Sequence, residues 1–220
     1  MPSSNQPPDT LGYCKRAEQQ ALLQNQFRLP RGLLGRIVGW WMSRDNERMN
    51  RRAVELLDAG PADDVLEIGF GPGQAIEFLA QGTQARLIAG VDPSHVMVEQ
   101  ASERNRSFIA AGRVVLLAGA AGNLPFVGGR FSKVLVVANL QIWDSPAAGL
   151  AEVRRVLRPE GVLVAGLRRT PKRPGLFKSP GLKPDEIAAL QTLIESQGFH
   201  NVRLVQRRRS RIVCLIASRK

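Results

Sequence analysis

Cysteine is nearly absent from this chain of 220 residues: Cys14 and Cys214 stand far apart and form no C-x-x-C pair. That excludes a disulfide scaffold and a thiol-built metal site, so no metal is expected, and it fits a reducing, cytoplasmic setting. Long apolar runs are missing too; none approaches the ~20 residues that span a bilayer. The opening stretch MPSSNQPPDT lacks the apolar core of a secretory signal. It is polar and proline-rich, and residues 1–16 read as a disordered lead-in. Acidic residues are scarce in the last quarter. Residues 166–220 hold 13 Lys and Arg against three Asp and Glu, whereas residues 1–165 are close to balance at 18 against 16. The formal charge of +12 is therefore concentrated near the C-terminus, which points to an anionic partner there.

What remains is enough for one globular domain, with 44% apolar residues. Residues 17–60 read as a helical extension. Leu33, Ile37 and Trp41 recur every four positions, as do Leu34, Val38 and Met42, and together they form an apolar stripe. A second helix over Met49–Ala59 stops at Gly60–Pro61. From residue 61 to 220 the rhythm becomes strand, loop, helix. Strands are predicted at Asp64–Ile68, Arg86–Val91, Arg113–Ala118, Lys133–Ala138 and Val162–Leu167, all short and nearly continuous in hydrophobicity. Helices fall at Gln74–Gln81, Ser94–Arg106 and Pro146–Leu157. A further helix, Lys183–Gln197, leads to two adjacent strands, Asn201–Gln206 and Arg211–Ala217, joined by a short RRRS link. The expected fold is α/β: a doubly wound, mostly parallel seven-stranded sheet with a C-terminal β-hairpin and an N-terminal helical extension.

Chemistry concentrates in EIGFGPG, Glu67–Gly73, where three alternate glycines follow the first strand. In an open parallel sheet, ligands bind beyond the carboxyl ends of the strands where their order reverses, and this turn belongs there. Gly71 and Gly73 allow a ligand to approach the backbone. The dinucleotide fingerprint G-x-G-x-x-G is incomplete, because Gln74 takes its sixth position and Pro72 stands inside the loop. Glu67 would repel a pyrophosphate and attract a cation. Asp92, roughly 20 residues beyond the loop, is placed to accept hydrogen bonds from two ribose hydroxyls. The ligand implied is a nucleoside with a positively charged tail.

VLEIGFGPG, followed in order by GVDPSHVM, AGAAGNLPF and LAEVRRVLRPEG, resembles the class I, seven-stranded S-adenosylmethionine-dependent methyltransferases of the small-molecule type, over about residues 49–169. The resemblance implies S-adenosylmethionine as cofactor and S-adenosylhomocysteine as product. It implies that Glu67, Gly69, Phe70, Gly71 and Gly73 border the methionine moiety, that Asp92 holds the ribose, and that Pro93 and Met97 flank the adenine. Relatives carry an aspartate after the third strand that binds the adenine amino group. Gly119–Ala120–Ala121 stands here instead, so the backbone N–H of Ala121 is left to contact the ring. Weaker cofactor binding is expected.

Methyl transfer from a sulfonium needs orientation and desolvation before it needs a base. The acceptor is expected at the loop after the fourth strand, where Asn139 and Gln141 would orient a polar group, with Asn139 also beside the cofactor. Trp143 would wall the acceptor or pack beneath the following helix. Asp144, before Ser145–Pro146, reads as a helix N-cap. His95 and His200 read as structural. Trp40 and Trp41 on the N-terminal stripe would form a lid over the cofactor mouth, or pack in the core. Topology places Arg168, Arg169, Lys172 and Arg173 on one rim with Arg207, Arg208, Arg209 and Arg211, a surface suited to an anionic acceptor or partner. The leading expectation is a methyltransferase for a small anionic or hydrophobic acceptor. The alternatives are an RNA methyltransferase and a non-catalytic cofactor-binding module. The loop after the fourth strand reads NLQI, not the [DN]PP[YF] used on base amino groups, which argues against the first of these.

Overall fold

The computed structural model describes residues 46–171, 181–208 and 210–220. The lead-in, the Leu33–Met42 stripe, Trp40, Trp41, Lys172, Arg173 and Arg209 lie outside the described residues. Residues 46–57 form helix α1. Then follow β1 (Asp64–Ile68), α2 (Gln74–Gly82), β2 (Leu87–Asp92), α3 (His95–Arg104), α4 (Arg106–Ala110), β3 (Val114–Ala118) and β4 (Phe131–Val137). The chain continues through a 3₁₀ turn (Leu140–Ile142), α5 (Pro146–Val156), β5 (Leu157–Arg168), α6 (Pro184–Ser196), β6 (Phe199–Gln206) and β7 (Ile212–Arg219).

The seven strands form one sheet in the order β3-β2-β1-β4-β5-β7-β6. The first five are mutually parallel, and β7 runs antiparallel to both β5 and β6. The predicted architecture is thus observed. Every residue of β1 is buried, the acids Asp64 and Glu67 included, because the strand is covered on both faces. Alternation along the strands divides the core. Leu66, Ile68, Val134 and Val136 face α5 and α6 through Leu150, Val153, Ile187 and Ile194. Val65, Leu135 and Val137 face α1 and α2 through Met49, Ala53, Ile76 and Leu79. Glu67 keeps the parity of Val65 and lies on the α1–α2 side of the sheet.

At the opposite end from the glycine turn, Asp64 is fully buried and takes ion pairs from Arg86, Arg130 and Arg158. Burial pushes its carboxyl up, but hydrogen bonds and charge from Arg86 and Arg130 outweigh this and hold it below the usual range. The cluster ties together the starts of β1, β2, β4 and β5.

Three segments differ from the sequence reading. β5 begins at Leu157, well before Val162, because Leu157 pairs with Phe131 across a register shift in β4. Within this stretch Glu160 takes a φ of 61°. The expected helix Ser94–Arg106 breaks at Asn105, whose buried side chain donates to the carbonyls of Ala101 (2.9 Å) and Gly73 (3.1 Å). A short polar side chain thus competes with the helix ladder and ends it. β6 starts at Phe199, with a register shift between His200 and Arg203 and a φ of 54° at Asn201.

Candidate active site

Strand order reverses at β1, which has β2 on one side and β4 on the other, and the glycine turn lies at its carboxyl end. Gly69, Gly71 and Gly73 all have positive φ, at 71°, 53° and 77°. The surroundings separate their roles. A β-carbon at Gly69 would lie 2.3 Å from Asn139 Nδ2, and one at Gly73 would lie 2.6 Å from the Ala101 β-carbon of α3. One at Gly71 would meet none of the described residues within 4 Å. Gly69 and Gly73 therefore serve close packing within the protein, whereas Gly71 keeps an open surface where a ligand can approach the backbone.

The loop is clamped from several sides. Gly69 N–H donates to Val91 O (2.7 Å), and Gly73 N–H to Phe70 O (3.0 Å). Arg104 Nε donates to Pro72 O (2.9 Å), and its Nη1 pairs with Glu77 at 3.0 Å. Asn50 of α1 donates to Gln74 Oε1 (2.9 Å), which connects the extension directly to the loop.

Two carboxylates line this clamp. Glu67 is 2% exposed, and Asp92 is 5% exposed. Asp92 accepts from the N–H groups of Gly71 (2.8 Å) and Ser94 (2.9 Å), one on each oxygen. Burial pushes its carboxyl above the usual range despite those bonds. Each oxygen keeps a further lone pair for another donor. Glu67 reaches across to α2, whose N-cap Gly73 makes no side-chain capping bond, and accepts from the N–H of Ile76. Its Oε2 is buried with no partner among the described residues. Burial first, then the Asp92 charge, drive the Glu67 carboxyl well above its ordinary value, and the Ile76 bond only partly opposes them. An unpaired acceptor beside a second acid in a dry site is costly, and a cation there would relieve it.

The structure revises several expected roles. Phe70 does not face the ligand side: its ring is buried against Gly90 of β2, where an added β-carbon would sit 2.6 Å from the ring. Met97 is also buried, while Pro93 and His95 are exposed. Ala120 is exposed, and half-buried Ala121 packs against the core. The Asn139 amide is spent within the protein. Its Nδ2 donates to Ile68 O (2.9 Å), Gly69 O (2.8 Å) and Val137 O (3.2 Å), and its Oδ1 accepts from Trp143 Nε1 (3.0 Å). It joins the ends of β1 and β4. The Trp143 ring lies over Gly149, where an added β-carbon would be 2.3 Å away, so it packs on α5. Gln141 is exposed, with Nε2 3.2 Å from Ala138 O. Ser145 Oγ, not Asp144, accepts from Ala148 N–H and caps α5.

Other residues of the site escaped the sequence reading. Ala138, at the end of β4, takes a φ of 61°, a strained conformation for a residue with a β-carbon. Glu152 and Arg155 of α5 fix the loop after β3. Leu124 N–H donates to Glu152 (2.8 Å), and Arg155 donates to Phe126 O (2.6 Å) and Leu124 O (3.0 Å). The E-x-x-R spacing is a sequence signal for a helical pair, but its grip on a distant loop is not. Asn50 and Asn105 carried no signal beyond being asparagines inside helical stretches.

Comparison with known proteins places this geometry. A family model described as a methyltransferase domain matches residues 65–161. An uncharacterized methyltransferase, YdaC of Bacillus subtilis, is 28% identical over 125 residues, covering 57% of this chain and 67% of that protein. Erythromycin 3''-O-methyltransferase of Saccharopolyspora erythraea is 28% identical over 163 residues, 70% of this chain and 53% of that protein. Across the first relatives matched, the chain spans between 32% and 67% of their length. The crystal structure of a SAM-dependent methyltransferase from Aquifex aeolicus shares the fold, with a TM-score of 0.64 at 18% identity over 77% of this chain and 88% of that one.

Proposed function

We propose that the chain is a class I S-adenosylmethionine-dependent methyltransferase, as its match to a methyltransferase domain over residues 65–161 supports, and that it methylates a small acceptor presented beside the loop after β4. The observation that supports the reading is the buried pair Glu67 and Asp92 around Gly71, with Glu67 Oε2 lacking a partner among the described residues. That donor set fits this cofactor. Glu67 would hold positive charge of the tail, and Asp92, still able to accept on both oxygens, would hold two ribose hydroxyls. When bound, S-adenosylmethionine supplies a methyl group already activated on a sulfonium. The protein's work is orientation. Asn139 holds the glycine turn to β4, Glu152 and Arg155 hold the loop after β3, and Gln141 offers an exposed amide to the acceptor.

The relative described as an antibiotic O-methyltransferase supports a small-molecule acceptor. The basic rim supports an anionic one: Arg169 N–H donates to Arg211 O at 2.7 Å, which brings the end of β5 beside the β6–β7 turn. Action on RNA is the second reading, favoured by the same rim, and a salt-sensitive gel shift would reveal it. Among the described residues no helix is long and apolar enough to cross a membrane.

Calorimetry tests the reading. S-adenosylmethionine and S-adenosylhomocysteine should each titrate as one site, while a nicotinamide dinucleotide should give no heat. No binding of S-adenosylmethionine at millimolar concentration would sink the proposal.

A further inference from the structure

An open cavity of about 290 Å³ lies between α1 and the β6–β7 hairpin. Arg48, Arg51, Arg52 and Glu55 of α1 line one wall, and Arg207 and Ser210 of the hairpin line the other. The α1 residues are spaced i, i+3, i+4 and i+7, so they share one helical stripe, alongside the apolar stripe Met49, Ala53 and Leu57 that packs on the sheet. Four arginines and one carboxylate thus line the cavity. Glu55 pairs with Arg52 at 3.0 Å and Arg207 at 3.5 Å, while Arg51 pairs outward with Glu47 and lies 4.0 Å from the Phe78 ring centroid. Glu55 and Glu47 offset only part of this positive charge, and like charges brought together by folding raise the energy of the empty cavity.

The hairpin side is also shaped for an anion. Ser210 N–H donates to Arg207 O (3.0 Å), which closes the turn, and Ser210 Oγ accepts from Ile212 N–H (3.0 Å). The hydroxyl hydrogen is thereby left to donate elsewhere. Planar guanidinium forks with a nearby hydroxyl suit the several oxygens of a phosphate better than a lone carboxylate.

The same helix reaches the catalytic end. Arg168, at the end of β5, donates to Asn46 at 2.8 Å, and Asn50 donates to Gln74 in the first turn of α2. An anion gripped along α1 is therefore held by an element bonded directly to the glycine-turn region.

We propose that this cavity binds the phosphate or diphosphate group of the acceptor, so that the substrate class is a phosphorylated small molecule. The proposal rests on the methyltransferase reading only in assigning that group to the acceptor.

The test uses inorganic pyrophosphate as the probe, by calorimetry at low salt, on the full chain. The parent should bind it, more tightly than orthophosphate and less tightly as salt rises. The double variant R48Q/R207Q, changed at two exposed positions, should bind about tenfold or more weakly. R106Q, which removes the same kind of charge beyond α3, should bind like the parent. S-adenosylmethionine is titrated into the same samples, so a failure of the cofactor reading registers separately. Absent pyrophosphate binding by the parent, or an equal loss in R106Q, overturns the cavity. So does a short single-stranded RNA that binds more tightly than pyrophosphate and is lost in the double variant. For the acceptor, label from methyl-labelled cofactor should enter a metabolite extract and fall when the extract is first treated with phosphatase. Labelling unchanged by phosphatase overturns that assignment.

Discussion

Replacing Glu67 with glutamine should stabilise the ligand-free protein and loosen its hold on S-adenosylmethionine. Among the described residues this carboxylate is almost fully buried, has the Ile76 N–H as a partner for one oxygen and none for the other, and faces the Asp92 charge. An unsatisfied buried group of this kind costs about 1–3 kcal/mol, which the neutral amide largely avoids. In a chain of this size each kcal/mol moves Tm by about 2–4 °C, so E67Q should melt roughly 2–10 °C higher near neutral pH. The sign follows from linkage. Glu67 has a raised pKa in the folded state, so the native protein binds the extra proton. Parent stability therefore falls as pH rises from the ordinary value of 4.5 toward the raised one, and E67Q lacks that fall. The two proteins should converge in acid. Losing a charge-assisted contact should weaken S-adenosylmethionine by about 1.5–3 kcal/mol, or roughly 10- to 100-fold. The product S-adenosylhomocysteine, whose tail keeps the ammonium but lacks the sulfonium charge, should lose less. Scanning calorimetry across pH and titration with both ligands read these effects. A variant that melts lower at every pH, with cofactor affinity intact, would reduce Glu67 to a brace for α2.

The contrast between Gly71 and Gly73 in the glycine turn makes a paired prediction. Gly71→Ala should cost only about 1–2 kcal/mol, for the left-handed conformation, yet impair cofactor binding. Gly73→Ala adds a clash with Ala101 and should lose distinctly more stability in denaturant melts. Asn139→Ala leaves the carbonyls of Ile68 and Gly69 and the Trp143 indole without their partner, and should destabilise by about 2–4 kcal/mol in the same melts. Ala120→Asp restores an acceptor to the exposed loop after β3 and should tighten S-adenosylmethionine by about 1–3 kcal/mol in calorimetry, with little change in Tm.

The parallel sheet was legible in the sequence because its strands are buried on both faces and therefore nearly continuous in hydrophobicity, as β4 shows over Val134–Val137. The glycine turn was legible because backbone conformation is a local property: alternate glycines predict positive φ, and all three have it. Side-chain destinations were less accessible. Phe70 lies inside the motif, yet its ring turns toward Gly90, twenty residues on, because the space for it exists only where β2 lacks a side chain. Asn139 read as a group for the acceptor, but the ends of β1 and β4 meet at its amide and consume it. The break at Asn105 has the same origin, since the carbonyl of Gly73 is brought to it from another element.

By itself, then, the sequence determined everything that depends on neighbouring residues: the order of strands and helices, the turn at Glu67–Gly73, and the sign of charge along the last quarter. Only the tertiary structure decided which charges meet. Arg48, Arg51 and Arg52 of α1 face Arg207 across about 150 residues of chain, and Glu67 faces Asp92 with an oxygen left over. The reason is physical. Backbone preference and hydrophobic period act over a few residues, whereas burial, Coulomb energy and hydrogen-bond satisfaction depend on distances in space, which do not exist until the sheet has closed around its core.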